Sequence, residues 1–183
     1  MTKDLNETFE GLINHYTDCL LKTGRIVPAL YVIAKDKMKV ISGDDLPAET
    51  SLREKIFESI GEEMATELND ATGFIFVSEA FCDLRDKEDS LGGITGAEIM
   101  IIVGKRVGDG GDRMFIRQYK SEPSEMGKVT FCNNDKLQSA NDVGWLTKPT
   151  EETNICNPIM HALWRSFKFN KLIKNLSQPN ASR

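Results

Sequence analysis

The chain holds few of the residues from which chemistry can be inferred in a sequence. Its four cysteines stand singly, at Cys19, Cys82, Cys132 and Cys156, and it has only two histidines. No Cys-x-x-Cys pair or Cys/His cluster has the spacing of metal ligands. We therefore expect no metal site and no cofactor, and we interpret the cysteines as buried free thiols in a reducing compartment.

Long apolar runs are also missing. No stretch approaches the roughly 18 consecutive apolar residues of a membrane span, and residues 1–7 lack the apolar core of a signal peptide. With 183 residues, of which 40% are hydrophobic and 28% charged, the chain has the composition of an ordinary globular domain. We expect a cytoplasmic protein with no membrane partner, folded as one domain over residues 1–176, with a disordered tail at 177–183.

Acidic residues are missing from the C-terminal part of the chain. The net charge is −5, which argues against bulk attraction to nucleic acid or anionic lipid, yet no acidic residue follows Glu152. The basic residues after it are Arg165, Lys168, Lys171, Lys174 and Arg183. In a helix, four of these form a stripe that could contact nucleic acid, an acidic partner or another copy of the chain. We prefer a solvated stripe whose cations stabilise the helix C-terminus.

Three segments are rich in apolar residues at odd and even positions alike. These are Ile26–Ala34, Phe74–Phe81 and Ile99–Val103. Successive side chains of a strand point to opposite faces, so this pattern predicts strands that are covered on both faces. The more mixed segments Met38–Ile41 and Arg113–Tyr119 are expected toward the edges, and Lys128–Cys132 is a candidate short edge strand outside them.

Three other segments have the apolar spacing of amphipathic helices. Residues 5–23 follow the i, i+3, i+4 pattern up to Gly24, a typical helix stop. The second helix is expected to start at a capping box formed by Ser51 and Glu54 and to end at Gly73. Its predicted apolar stripe consists of Leu52, Ile56, Ile60, Met64 and Leu68, widened by Phe57 and Ala65.

The last helix is expected to begin at Asn157-Pro158, an N-cap followed by proline at the first helical position, and to run to about 171–174. Its predicted apolar face consists of Ile159, Leu163, Trp164 and Phe167. The element order has too few helices between strands for a doubly wound parallel sheet. We predict an α+β fold: a single, largely antiparallel sheet of five to six strands in the order 2-1-3-4-5, with helices packed on its faces.

This element order, over about residues 5–172, resembles the roadblock and profilin-like folds, small α+β modules that scaffold or dimerise. The resemblance implies an interaction or dimerisation function. In those folds the third strand lies at an edge, whereas two-sided apolarity predicts an interior position for Phe74–Phe81 here. Separately, Val77–Phe81 resembles a Val-Ser-Glu-Ala-aromatic stretch of small bacterial and phage proteins, which implies no activity.

Glu79 is the first candidate for a functional residue because it interrupts an apolar strand. A carboxylate there must be paired, neutralised or close to water. One interpretation makes it an acid–base group or ligand anchor beside the loop 83–96, which is charged first and glycine-rich later. The preferred interpretation is an ion pair with Arg117, Arg106 or Arg85. Glu79 and Arg117 are therefore the candidate ligand-binding residues.

Other combinations are weaker. Cys82 and His161 could form a nucleophile and base, but nothing in the sequence places them together. The glycines at 92, 93 and 96 do not have the spacing of a phosphate-binding loop, and Gly108–Asp112 indicates a hairpin turn. We expect a protein of unknown function that is most simply a non-catalytic interaction module, with a protein partner or a second copy. The alternatives are a small-molecule-binding protein or enzyme with a pocket under loop 83–96, and a nucleic-acid-associated protein that uses the basic helix.

Overall fold

A computed structural model describes residues 4–44, 46–47, 49–82, 97–108, 111–121, 128–132 and 158–177. In these ranges the elements are α1 (Leu5–Thr23), β1 (Ala29–Ala34), β2 (Met38–Ser42), α2 (Thr50–Glu67), β3 (Ala71–Cys82), β4 (Ala97–Arg106), β5 (Asp112–Ser121), β6 (Val129–Phe131) and α3 (Pro158–Ser177). The strands form one sheet in the order β2-β1-β3-β4-β5-β6, and every neighbouring pair is antiparallel. The predicted α+β fold and strand order are confirmed.

The middle of the sheet is covered on both faces, as the apolar runs predict. In β3, Ile75 and Val77 face α1, whereas Phe74 and Phe76 face the other two helices, and all four are at most 4% exposed. Strand β3 lies between β1 and β4. It is therefore an interior strand, unlike the third strand of the folds that the element order resembles.

Helix α1 covers one face of the sheet. Asp4 caps its N-terminus by accepting from the amide of Asn6 at 2.9 Å. Gly24 ends the helix with a φ of 70°, and its amide donates a hydrogen bond to the carbonyl of Leu20. The start of α1 sits directly over β3. A Cβ at Gly73 would lie 2.6 Å from the terminal carbons of Leu5, so a larger residue at this strand position would require the Leu5 side chain to move.

Helices α2 and α3 cover the opposite face side by side. Ring contacts tie them to the sheet, with centroids 5.1 Å apart for Phe57 and Phe76 and for Phe74 and Phe167. The two helices approach closely at Gly61, where a Cβ would lie 3.0 Å from the amide nitrogen of Phe167 and still closer to the carbonyl oxygen of Leu163. Gly61 therefore sets the spacing between the two helices.

The details of α2 differ from the sequence prediction. The helix begins at Thr50 with Glu49 as its N-cap, so Ser51 lies inside the first turn and donates to the Glu49 carboxylate, and the predicted capping box does not form. The helix ends at Glu67, so Gly73 is a strand residue rather than the helix stop.

The predicted stripe of α2 is also partly wrong. Leu52 and Ile56 are 43% and 38% exposed, whereas Phe57, Gly61 and Ala65 are buried. Residues four apart drift by about 40° per step around a helix with 3.6 residues per turn, so a stripe with that spacing rotates away from the sheet.

Several predictions fall outside the described residues. These are the loop 83–96 with Arg85, the central residues 109 and 110 of the β4–β5 hairpin, the segment 133–157 and the tail 178–183. The hairpin itself is confirmed, because the amide of Arg106 donates to the carbonyl of Gly111 at 2.8 Å. Helix α3 starts at Pro158 as predicted, but it continues to Ser177, past the expected end near 171–174.

Candidate functional site

Glu79 lies where β3 extends past the start of β1. Ala29, the first residue of β1, pairs with Val77, so the chain before β1 rather than the strand itself faces Glu79. There the backbone amide of Ile26 donates to Glu79 Oε1 at 2.7 Å. The half-buried carboxylate thus fixes the connection between α1 and β1 onto the sheet.

A tyrosine supplies the second contact of Glu79. Burial is the main cause that raises the pKa of Tyr119 above its ordinary value, followed by the charges of Glu79 and Glu98 and a hydrogen bond to Glu79. Because the tyrosine keeps its proton, its hydroxyl is the donor to the carboxylate. Glu98 accepts from Ser121, at 3.1 Å from the amide and 2.8 Å from the hydroxyl.

Arg117 is placed near Glu79 but not against it. Met100 on β4 is the cross-strand neighbour of both residues, so a whole strand separates them. Arg117 Nη1 donates to Thr17 Oγ1 at 3.0 Å, and no ion pair among the described residues joins Arg117 to Glu79. The predicted pairing of these two residues is therefore wrong.

The other predicted arginine partners of Glu79 do not change this result. Arg106 is in register with Gly73, at the opposite end of β3, and Arg85 lies outside the described residues. Among the contacts of Glu79 in the described chain, the amide of Ile26 and the hydroxyl of Tyr119 take the place that the sequence analysis gave to an arginine.

Glu79 also lines a cavity of about 360 Å³. The walls come from the segment before β1, the loop after β2, the first turn of α2 and the end of β3. The lining residues are Arg25, Ile26, Val27, Pro28, Gly43, Asp44, Leu46, Arg53, Phe76, Ser78 and Glu79. Two arginines, two acidic residues and several apolar residues thus line one cavity, and the sequence analysis identified only Glu79 among them.

The cysteines and histidines form no recognisable catalytic site in the part of the chain that is described. Cys19 Sγ lies 3.6 Å from His15 Nε2 on α1, a contact that the sequence analysis missed although four-residue spacing could have indicated it. Cys19 and Cys132 are free, but half-buried rather than buried. His161 is exposed on α3, and the side chain of Cys82 is outside the described residues, so that pair stays untested.

The basic residues of α3 contact their own chain. Arg165 forms an ion pair with Glu58 at 2.6 Å, Lys168 and Lys171 lie over the rings of Trp164 and Phe167 at 5.9 and 5.7 Å from the centroids, and Lys174 donates to the carbonyl of Thr66 at 3.3 Å. Exposed pairs of this kind contribute little stability each. They nevertheless direct the cations toward the protein rather than into a separate basic surface.

Helix α3 also has an apolar surface that faces solvent. Four side chains form it, and we call them the α3 stripe: Phe169, Leu172, Ile173 and Leu176, which are 61%, 56%, 44% and 77% exposed. Their spacing of i, i+3, i+4 and i+7 places them on one face of the helix. The sequence analysis identified the face that includes Leu163 and Phe167, which is buried, and missed this second one.

Comparison with other proteins adds no assignment. The chain matches no protein-family model, and searches of curated proteins and of solved structures also give no match. None of the described helices is long and apolar enough to cross a membrane. Within the described ranges, no group of three or more histidine, cysteine or acidic side chains is arranged to hold a metal ion.

Proposed function

We propose that this protein is a non-catalytic interaction module that pairs with a second copy of itself through the α3 stripe. The exposure of the stripe is the observation that carries the proposal. Large apolar side chains scattered singly over a surface need no explanation, but four that are contiguous on one helix face are typical of an interaction site.

The spacing of the stripe favours a second copy as the occupant. A two-fold axis between Leu172 and Ile173 would exchange these two residues and also exchange Phe169 with Leu176. The stripe is therefore complementary to itself when two α3 helices run antiparallel, which is the condition for an isologous dimer interface. A parallel pair would instead need a two-fold axis along the helices, which places each stripe residue beside its own copy.

The charges of α3 support the same orientation. The helix contains no acidic residue, so two parallel copies would align their lysines. In the antiparallel arrangement, Lys168 of one copy lies beside Ser177 of the other, where the helix C-terminus carries a partial negative charge. Each such interaction is worth about 0.3–1 kcal/mol at low ionic strength, so it selects orientation more than it supplies affinity.

The area of the stripe indicates a weak dimer. With exposed fractions between 44% and 77%, the four side chains offer about 480 Å² per copy if a fully exposed side chain has roughly 200 Å². A pair would then bury about 950 Å² of apolar surface, at the low end for specific interfaces. We expect a dissociation constant on the order of micromolar rather than an obligate dimer.

Sedimentation velocity over about 1 to 200 µM protein tests the proposal. The mass should rise from 20.5 kDa toward twice that value, and Leu172→Glu should stay monomeric over the whole range because it places a carboxylate at the proposed axis. Leu21→Glu is the matched control, since Leu21 is 49% exposed on α1, on the other face of the sheet. It should associate like the wild type.

A wild type that stays monomeric at the highest concentration would contradict the proposal, as would unchanged association of Leu172→Glu. Binding of the monomer to vesicles that contain phosphatidylserine, abolished by Leu172→Glu, would assign the stripe to a lipid surface and also overturn the dimer.

The alternative functions have less support. The Glu79 carboxylate already accepts from the amide of Ile26 and the hydroxyl of Tyr119, which supports a structural role over acid–base catalysis. The contacts of the α3 cations with their own chain favour self-association over nucleic-acid binding. Nucleic-acid affinity that falls steeply with salt concentration would reverse that preference.

A further inference from the structure

We propose that the cavity beside Glu79 binds a small zwitterion, an α-amino acid with an apolar side chain. The cavity of about 360 Å³ is at the small end for ligand sites, which matches a molecule of this size. This site is separate from the α3 stripe, and the two proposals do not depend on each other.

The walls of the cavity are fixed by specific contacts. The amide of Gly43 donates to the carbonyl of Pro28 at 2.7 Å, and the amide of Leu46 donates to the carbonyl of Gly43 at 3.0 Å. A Cβ at Gly43 would lie 2.9 Å from Leu46 and 3.0 Å from Pro28, so only glycine fits between these two walls without a shift. Together with the bond from Ile26 to Glu79, these contacts hold both sides of the cavity in place.

Two arginines supply the positive side. The Nε of Arg53 donates to the carbonyl of Pro47, which orients the guanidinium group while leaving its two terminal nitrogens for other acceptors. Arg25 lines the same cavity from the segment before β1. No ion pair between described residues involves either arginine. A guanidinium group suits a carboxylate, which arginine can bind through two parallel hydrogen bonds.

The Asp44 carboxylate supplies the negative side, which argues against a simple anion. Asp44 Oδ2 accepts from the Ser42 hydroxyl at 3.0 Å. A carboxylate offers about four acceptor positions, so Asp44 can also accept from an ammonium group. Glu79 points to the α1 face of β3 and is held by the Ile26 amide, so it is not counted as a ligand group. A ligand with one group of each sign therefore has a partner for both groups.

The apolar part of the lining sets the third requirement. Phe76 is 4% exposed at the back of the cavity, and the half-buried Leu46 and Pro28 complete this side. These three side chains can cover an apolar side chain of the ligand. Leucine and phenylalanine are therefore the amino acids with which to test the site.

Isothermal titration calorimetry of the full chain with L-leucine and L-phenylalanine, up to about 10 mM, tests the proposal. At least one of the two should bind. The leucine analogues 4-methylpentanoate and 3-methylbutylamine, which lack the amino and the carboxyl group respectively, should bind at least about tenfold more weakly, because each loses one charged contact.

Two variants locate the site. Arg53→Gln and Asp44→Asn should each weaken binding by at least about tenfold, whereas Lys35→Gln, in the exposed turn after β1, should bind like the wild type. Urea unfolding of each variant confirms that the fold is kept. Glu79 is not varied in this experiment, because it holds Ile26 in place.

Absence of binding by both amino acids would overturn the proposal. Equal binding of 4-methylpentanoate would overturn the zwitterion and assign the cavity to a simple anion. Binding that neither Arg53→Gln nor Asp44→Asn weakens would place the ligand elsewhere. None of these outcomes bears on the dimer, which is read from the mass of the Leu172→Glu variant.

Discussion

Gly61→Ala is the substitution for which the structure predicts the largest effect from the smallest change. A methyl group on Gly61 would lie 3.0 Å from the amide nitrogen of Phe167 and well inside contact distance of the carbonyl oxygen of Leu163. Both atoms belong to the backbone, so relief requires that α2 and α3 separate by about 1 Å. Overpacking of this kind costs about 1–3 kcal/mol, and we expect the upper end because no side chain can yield.

Helix propensity partly offsets this cost. Alanine is favoured over glycine inside a helix by about 1 kcal/mol, so the net loss in the free energy of unfolding should be about 2 kcal/mol. Gly11 provides the matched control, because it is also helical and a Cβ there meets nothing within 4 Å. Gly11→Ala should therefore stabilise the protein by about 0.5–1 kcal/mol.

Urea unfolding followed by circular dichroism measures both effects as shifts of the midpoint in opposite directions. All samples need the same protein concentration, since self-association would stabilise the folded state by mass action. A Gly61→Ala variant at least as stable as the wild type, alongside a Gly11→Ala variant that behaves as expected, would refute the close approach of α2 and α3.

Two further predictions concern the polar groups beneath α1. Glu79→Ala should lower the free energy of unfolding by about 1–3 kcal/mol because it leaves the Ile26 amide without its acceptor. Glu79→Gln keeps an acceptor and should lower it less. Equal losses of stability for the two variants in urea unfolding would contradict this role of Glu79. Burial is the main cause that raises the pKa values of Tyr16 and Tyr119. The hydroxyl of Tyr16 also lies 2.8 Å from the hydroxyl of Tyr31. As the pH rises, the unfolded chain loses these protons before the folded protein does. The free energy of unfolding should therefore be unchanged below about pH 10 and fall above it, and it should fall less steeply in the Tyr16→Phe variant. Urea midpoints that stay constant from about pH 8 to 11 would contradict this prediction.

The sequence predicts those parts of the fold that depend on local pattern. Two-sided apolarity placed Phe74–Phe81 in the interior of the sheet because a strand covered on both faces has no other position. Gly24 marked the end of α1 because a left-handed residue is needed there. The register of α2 was less predictable, since Leu52 and Leu68 both fit a four-residue spacing although they cannot lie on the same side of a helix.

The candidate site depends on contacts that are distant in sequence, and these could not be predicted. Glu79 stood out as a charge in an apolar strand, but its partner Ile26 comes from a connection that has no pattern of its own. In α3, two apolar faces were present, and packing against Gly61 and Phe74 buries Phe167 while Phe169 stays exposed. Composition alone does not distinguish the two faces.

The contacts of α1 also set the order in which the chain can fold as it leaves the ribosome. Glu10 and Thr17 contact Arg113 and Arg117, residues made about 100 positions later. At 5–20 residues per second, α1 is synthesised about 5–20 s before β5 exists to receive it. A lone helix of this length is marginal in water, so the newly made helix exposes part of its apolar face until the strands that cover it are complete. Chaperone capture of nascent chains should therefore depend on the apolar residues of α1.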